Sequence, residues 1–178
     1  MLLNIVALGV ESASEAWYQV MPAGRPDPVS EKYGFSQVVQ NYPGMNRTAL
    51  RELLRETWSR PMAFEPFTQF KERATMGRFV NVSPHGFRLS KNQGPWPPSP
   101  EAVNVFLFGG STVFNYGLPD EQTIAFFLQG FLNEAGSGPP VRVYNFGRGH
   151  YYSSQECVLF EQLLSAGFVP AIAVFLDG

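Results

Sequence analysis

Three short runs dominated by apolar residues mark the second half of the chain and predict the strands of one buried sheet. They cover residues 103–108, 141–146 and 171–176. Runs of this length and apolarity are typical of strands that are covered on both faces. Helical patterns separate the three runs, so the order strand, helix, strand, helix, strand predicts an α/β fold with a parallel sheet and helices on both sides.

The two helices between these strands carry start and stop signals. Asp120 is placed to cap the first helix, and Ser153 with Glu156 forms a capping box that predicts the start of the second. Gly167 is expected to end the second helix. The predicted apolar face of the first helix consists of Ile124, Phe127, Leu128, Phe131 and Leu132.

The first hundred residues have a different texture, because proline, glycine and aromatic residues are frequent there and regular patterns are short. Apolar residues at helical spacing predict a helix over residues 48–58, and residues 79–82 predict a short strand. The proline-rich segment 94–100 can join neither a helix nor a central strand. It predicts a border between an accessory arm (residues 1–100) and an α/β domain (residues 101–178).

The N-terminal residues 2–10 form an apolar segment that is far shorter than the roughly 20 residues a membrane span needs. No basic region precedes it and no convincing cleavage site follows it, which argues against a secretory signal. The segment is consistent with the end of a longer membrane anchor, at residues 1–10, or with a short buried helix or strand.

Composition and charge narrow the class of protein. Apolar residues make up 44% of the chain and charged residues 16%, a balance that excludes a disordered chain and a polytopic membrane protein. The formal net charge is −2 and no basic block is interleaved with aromatic residues, so nucleic acid is not an expected partner. A single cysteine, Cys157, excludes an internal disulfide and a cysteine-based zinc cluster.

Ser111 is the candidate nucleophile. It follows the first predicted strand directly after Gly109 and Gly110, which allow a sharp bend and the close approach of a ligand. A serine hydroxyl becomes a useful nucleophile when a base removes its proton and when donors stabilise the developing oxyanion. The turn alone also fits an ordinary loop, so the interpretation depends on its companions in the sequence.

Several sequence motifs together resemble those of a known family. The sequence Phe-Gly-Gly-Ser-Thr at residues 108–112 resembles the nucleophile block of the SGNH/GDSL hydrolases. Residues 145–156 resemble the second block, with its Asn, its glycines and a Ser/Gln/Glu helix start, and residues 175–178 resemble the lead-in to the third block, Gly-x-Asn-Asp. Residues 77–88 also resemble the segment that precedes the catalytic domain in envelope-anchored bacterial members.

The resemblance implies a flavodoxin-like, three-layer α/β/α fold and a serine esterase in which Ser111 attacks a carboxylic ester and forms an acyl-serine. Small-molecule or glycan esters would be the substrates, with acyl transfer to a sugar hydroxyl as a variant, and no metal or organic cofactor is required. The envelope-anchored members imply a location in the cell envelope, facing the periplasm, with membrane association through an N-terminal anchor.

The resemblance also assigns the groups that would stabilise the oxyanion. One is the backbone N–H of Ser111, and the second is a backbone N–H of the second block. The family's glycine stands five residues after the Asn of that block, and counting from Asn145 leads to His150, with Gly149 one residue earlier. Both remain candidates. A further departure is Gly110, which stands where many members have the Asp of Gly-Asp-Ser.

The remaining parts of the family's site would follow Gly178. They are a third oxyanion donor, an Asn, and the Asp-x-x-His block that supplies the base. Three strands are also few for a parallel sheet, so the domain is expected to be incomplete and the 178-residue chain to lack hydrolysis. His150 could stand in as the base or be a plain loop histidine, His85 has no spacing relation to Ser111, and Asp177 could hydrogen-bond within the third-block loop.

Two other classes of function stay open. Gly147-x-Gly149 follows a strand and precedes a helix, as in dinucleotide-binding proteins, but Tyr152 occupies the place of the third glycine. The turn at Ser111 lacks the Gly-Lys-Ser/Thr ending of a phosphate-binding P-loop. A noncatalytic module that binds glycans or protein partners would fit the aromatic-rich arm.

Overall fold

The computed structural model describes residues 27–176 of the 178-residue chain, and its contacts divide the chain into the units Met1–Pro43 and Gly44–Gly178. The first unit contains two short helices, α1 (Pro28–Tyr33) and α2 (Phe35–Gln40). Asp27 caps α1 by accepting hydrogen bonds from two backbone N–H groups of its first turn. The apolar segment at residues 2–10, Asp177 and Gly178 lie outside the described residues.

The second unit begins with the helix that the spacing of leucines predicts. Helix α3 (Arg47–Trp58) is capped by Asn46, whose side chain accepts from the N–H of Ala49 at 2.8 Å. The predicted inward positions Leu50, Leu53 and Leu54 are buried. A hairpin that the sequence did not predict follows, formed by β1 (Met62–Glu65) and β2 (Gln69–Glu72).

The predicted strand at residues 79–82 is shorter than expected. Strand β3 (Thr75–Met76) pairs with β4 (Asn81–Val82), and β4 contains only the last two predicted residues. The carboxylate of Glu56 accepts hydrogen bonds from the N–H groups of Phe79 and Val80, at 2.8 and 2.9 Å. Because these donors are bound to a helix side chain, they are not available to a neighbouring strand.

The three apolar runs form the predicted parallel sheet. Its strands are β5 (Val103–Gly109), β6 (Val141–Asn145) and β7 (Ile172–Leu176). Their order is β6-β5-β7, and both pairings are parallel. The first strand is therefore central and the second lies beside it, as expected, and the α/β fold with a three-stranded parallel sheet is confirmed.

The alternation of residues along the strands distributes two helices to opposite faces of the sheet. Helix α5 (Ile124–Ala135) contributes Ala125 to a cluster with Val105, Leu107 and Val143. Helix α6 (Ser153–Ser165) contributes Leu159 and Leu163 to the other cluster, which contains Phe106, Phe108 and Tyr144 of the strands and Phe146 directly after β6. Successive strand residues point to opposite faces, so helices cover both sides of the sheet.

The predicted cap of α5 is wrong. Asp120 opens a one-turn 3₁₀ helix (Asp120–Gln122), and Thr123 caps α5 by accepting from the N–H of Phe126 at 3.2 Å. The carboxylate of Asp120 is instead bound by Asn81 and Arg88, at 2.6 and 3.2 Å. A tertiary ion pair therefore takes the side chain that looks like a local capping group.

The predicted apolar face of α5 is correct only in part, because Ile124 and Leu128 pack against the sheet whereas Phe127, Phe131 and Leu132 are exposed. Phe127 and Phe131 are 47% and 66% exposed, whereas Gln129 is 2% exposed. The Gln129 side chain accepts from the N–H of Val143 at 2.8 Å and donates to the carbonyl of Asn92 at 2.5 Å. These two hydrogen bonds turn the helix so that a polar residue faces β6, and the phenylalanines are turned towards solvent.

Helix α6 starts and ends close to the predicted residues. Tyr152 is its N-cap residue and Ser153 is the first helical residue, so the capping box with Ser153 as the cap is wrong by one position. Gly167, with φ 86°, ends the helix as expected. The N–H groups of Gly167 and Phe168 return to the carbonyls of Leu164 and Leu163, both at 2.9 Å, which is the Schellman arrangement.

The proline-rich segment 94–100 lies inside the second unit, and no border between the two units falls there. Trp96 packs against Phe87 and Phe168, with ring centroids 5.1 and 4.6 Å away. The hydroxyl of Tyr144 donates to the carbonyl of Pro95 at 2.6 Å. Contacts to β6 and to the end of α6 therefore tie this segment to the sheet. None of the helices within residues 27–176 has the length and apolarity to span a membrane.

Candidate active site

Ser111 is exposed at the carboxyl end of the central strand. Strand β5 ends at Gly109, and the one-turn helix α4 (Ser111–Phe114) begins at Ser111 itself. A side chain at position 109 would meet the carbonyl of Leu176 at 2.8 Å as well as Val113, so glycine is required there. Residues 109–112 are called the Ser111 turn below.

A second turn, residues 147–150, follows β6 at the same edge of the sheet and is called the Gly149 turn. The N–H of Arg148 donates to the carbonyl of Gly109 at 2.9 Å. A β-carbon at Gly110 would lie 3.1 Å from the carbonyl oxygen of Tyr151. The loops that leave β5 and β6 are therefore in direct contact, which confirms the expected neighbourhood of Ser111 and the residues around Gly149.

Asn145 and Gly147 explain why this contact is so close. The side-chain amide of Asn145 donates to the carbonyl of Val113 at 2.8 Å, and its oxygen accepts from the N–H of Gly147 at 2.9 Å. A β-carbon at Gly147 would overlap the backbone nitrogen of Phe114. Asn145 and Gly147 thus let the loop after β6 lie directly against the helix that carries Ser111.

The two backbone N–H groups that are candidate oxyanion donors differ in their surroundings. The N–H of Gly149 is buried and donates to Oε1 of Glu72 at 3.1 Å. His150 is exposed and adopts φ 64°, and within the described part of the chain its N–H donates no hydrogen bond. Of the two groups, only the N–H of His150 lacks a hydrogen-bond partner among the described residues.

Glu72 is a buried carboxylate, 3% exposed, that β2 places beside the Gly149 turn. Its Oε1 also accepts from the hydroxyl of Tyr116 at 2.6 Å, and its Oε2 lies 3.2 Å from the guanidinium of Arg60. Burial and the charge of Glu72 raise the pKa of Tyr116 above its ordinary value, so the phenol remains protonated and keeps donating. Arg60 offsets the buried negative charge.

Arg88 holds the other end of helix α4. Its guanidinium donates to the carbonyls of Phe114, Asn115 and Leu118 at 2.5, 2.8 and 2.5 Å, and it pairs with Asp120 at 3.2 Å. Burial lowers the pKa of Arg88 to about 10, against the opposing effect of Asp120, so the side chain is charged at neutral pH. A fully buried cation therefore satisfies the carbonyls that the short helix leaves unbonded.

A second buried cation fastens the β1–β2 hairpin onto the Gly149 turn. Arg148 forms an ion pair with Glu65 and donates to the hydroxyl of Tyr151 at 2.7 Å. That hydroxyl donates to the carbonyl of Phe70 at 2.6 Å. Burial acts to raise the pKa of Glu65, but the charge and hydrogen bonds of Arg148 prevail and hold it below its ordinary value.

The side chains of the two histidines contribute little to this geometry. Neither His150 nor His85 forms a hydrogen bond with the Ser111 hydroxyl among the described residues. His85 stacks on Trp96 instead, with ring centroids 5.7 Å apart. Within residues 27–176 no three His, Cys, Asp or Glu side chains come together as a metal-binding group. Asp177 lies outside the described residues.

Sequence reasoning missed Glu72 and Tyr116, and it used Arg88 only as part of a resemblance. A charged residue in an irregular segment is usually exposed, so nothing marks Glu72 as buried. In the structure Arg88 bridges Val82 of β4 and Asn145, a contact that no local sequence pattern indicates. Neither a scan of protein-family models nor a search of curated protein sequences finds a match to this chain.

Proposed function

We propose that this protein is a serine esterase of the SGNH/GDSL type, with a flavodoxin-like domain, in which Ser111 forms an acyl-serine with a carboxylic ester. One observation carries the proposal. An exposed serine begins a helix at the carboxyl end of the central strand, and a neighbouring turn presents a second, unbonded N–H. Ligands of α/β proteins bind at this edge of the sheet.

The proposed reaction uses the two turns together. The Ser111 hydroxyl attacks the ester carbonyl, and its proton passes to a base as the carbonyl oxygen becomes an oxyanion. Ser111 is the first helical residue, so its N–H has no partner inside the helix and is free to donate to that oxygen. The N–H of His150 donates from the other side, and expulsion of the alcohol leaves the acyl-serine.

The base is proposed by resemblance. In the SGNH/GDSL family an Asp-x-x-His block supplies the imidazole that acts as the base and the carboxylate that orients it, and we propose the same pair for this site. Water then hydrolyses the acyl-serine. A sugar hydroxyl in place of water would make the same site an acyltransferase, and small-molecule or glycan esters reached in the cell envelope are the proposed substrates.

The contact at Gly149 favours this proposal over a dinucleotide site. A pyrophosphate needs the backbone N–H groups of the glycine-rich turn as donors. Here the N–H of Gly149 is bound to the carboxylate of Glu72, which is itself negative and buried. A pyrophosphate would therefore find that donor already used, whereas the single unbonded N–H at His150 suits a single developing oxygen charge.

The test is covalent labelling with a fluorophosphonate probe, using the protein translated from the complete reading frame. Ser111→Ala is compared with Thr112→Ala, because Thr112 is another exposed hydroxyl residue, one position away. We expect the wild type and Thr112→Ala to be labelled on the peptide that contains Ser111, and Ser111→Ala to remain unlabelled. Equal labelling of Ser111→Ala would refute the proposal.

A further inference from the structure

We propose that Glu72 and Tyr116 act as a pair of positioning residues that fix the Gly149 turn relative to Ser111, so that the N–H of His150 is held at the oxyanion. This inference deepens the proposed function and rests on it. Neither residue touches the reacting atoms. Both act by holding the backbone that does.

A continuous series of hydrogen bonds joins the two turns. The N–H of Tyr116 donates to the carbonyl of Ser111 at 3.2 Å, so Tyr116 is attached to the helix that carries the nucleophile. Its hydroxyl donates to Oε1 of Glu72 at 2.6 Å, and the same oxygen accepts from the N–H of Gly149 at 3.1 Å. One carboxylate oxygen therefore connects the Ser111 side of the site to the Gly149 side.

Packing supports the same connection. A β-carbon at Gly149 would lie 2.8 Å from Cζ of Tyr116, so the tyrosine ring fills the space that a side chain at position 149 would need. Trp58 packs on the outer side of that ring, with centroids 4.7 Å apart. The ring is thus confined between α3 and the Gly149 turn, and its hydroxyl has little freedom to leave Glu72.

The conformation of His150 shows what the pair has to maintain. A non-glycine residue with φ 64° lies in a sparsely populated region and persists only where its surroundings hold it. Because Glu72 binds the N–H of Gly149, it holds the Arg148–Gly149 peptide in place. The next N–H along the chain, that of His150, is then left without a hydrogen-bond partner among the described residues.

Loss of the contact between Glu72 and Tyr116 should slow the chemical step of the reaction. Donors to an oxyanion are worth most in the transition state, so a small displacement of His150 lowers kcat and leaves ground-state binding nearly unchanged. The negative charge of Glu72 does not oppose the oxyanion strongly, because Arg60 lies 3.2 Å from its other oxygen. Arg60 therefore lets Glu72 hold the turn at a reduced electrostatic cost to the oxyanion.

The experiment compares Tyr116→Phe with Tyr144→Phe in the full-length protein. Each variant removes one tyrosine hydroxyl that donates a 2.6 Å hydrogen bond, to Glu72 in the first case and to the carbonyl of Pro95 in the second. We expect Tyr116→Phe to lower kcat for a p-nitrophenyl ester about tenfold, less than the loss of a direct oxyanion donor, with KM within about twofold. Tyr144→Phe should keep wild-type kcat at a similar loss of Tm.

Glu72→Gln provides the second arm, because glutamine retains an oxygen that can accept from Gly149. The double variant Glu72→Gln/Tyr116→Phe should lose no more activity than the worse single variant, since the two side chains act through one contact. Two results would overturn the inference while Ser111-dependent hydrolysis persists. One is full additivity of the two activity losses, and the other is an equal kcat in Tyr116→Phe and Tyr144→Phe. Hydrolysis that survives Ser111→Ala would overturn the proposed function and this inference with it.

Discussion

The guanidinium of Arg88 donates to the carbonyl oxygen of Phe114 at 2.5 Å, so a buried cation from residues 44–100 closes the end of the helix that begins with Ser111. The same side chain reaches the carbonyls of Asn115 and Leu118. The backbone N–H of Arg88 also donates to the carbonyl of Asn145 at 2.8 Å, which ties the segment to the end of β6. Residues before the parallel sheet are therefore part of the frame of the site.

Arg88→Lys should destabilise the protein although it preserves the charge. An ammonium group is a compact donor and cannot reach three carbonyls and Asp120 at once, so buried acceptors lose their partners. We expect a loss of about 2–3 kcal/mol in the free energy of unfolding, measured by denaturant titration. The control is Arg78→Lys, whose side chain is 61% exposed and should change stability by less than about 1 kcal/mol. Equal effects would contradict the role of Arg88.

Two glycine-to-alanine substitutions should have opposite effects on stability, because Gly147 lies against the backbone of Phe114 whereas Gly130 has no close neighbour. Gly147→Ala places a methyl group on the backbone nitrogen of Phe114, and overpacking of this kind costs about 1–3 kcal/mol. Gly130→Ala, within α5, adds a β-carbon with nothing within 4 Å and should stabilise the helix by about 0.5–1 kcal/mol. Thermal unfolding of both variants tests the pair. A Gly147→Ala protein that unfolds at or above the wild-type temperature would show that the two turns can separate freely.

Acid should weaken the attachment of the hairpin. Arg148 holds the pKa of Glu65 below its ordinary value of 4.5, so the folded state favours the carboxylate more than the unfolded chain does. This contribution is present above about pH 4.5 and is lost as the pH falls through the lowered pKa in the folded protein. Glu65→Gln should therefore lose less stability than the wild type between neutral and acid pH. Parallel stability curves for the two proteins would exclude a role for this pair.

Exposed apolar residues on strand β7 should give the protein a tendency to associate. Ile172, Phe175 and Leu176 on β7 are 49%, 40% and 42% exposed, and within the described residues β7 pairs only with β5. Exposed apolar strand edges bind hydrophobic surfaces. We expect the protein to bind a hydrophobic dye and the variant Ile172→Ser to bind less. A monomer that leaves the dye silent would argue that this surface is too small or too polar to matter.

The sheet could be predicted from sequence because its strands and helices depend on local patterns. Apolar runs, glycine breaks and the stop at Gly167 each act within a few residues, and all of them lead to the same parallel sheet. The start of α5 could not be predicted, because the Asp120 side chain could either cap the helix locally or pair with distant residues, and it pairs with Arg88. Arg88 lies 32 residues away in the sequence, and no local rule anticipates that contact.

The candidate site was predictable only in outline. Ser111 and the Gly149 turn carry motifs, and their proximity follows from two neighbouring parallel strands. The choice between Gly149 and His150 could not be made from spacing. It depends on Glu72, which lies 77 residues before Gly149 and takes one of the two N–H groups. Buried charges of this kind look like ordinary surface residues until the fold brings their partners together.

The central claim is that an acyl group is transferred to Ser111, and trapping that intermediate tests it most directly. The full-length protein would be mixed with a p-nitrophenyl ester, quenched in acid within the first turnover and digested for mass spectrometry. The account predicts one acyl group on the peptide containing Ser111 in the wild type and in Thr112→Ala, and none in Ser111→Ala. An acyl group found on another residue, with Ser111→Ala still turning over, would contradict the account.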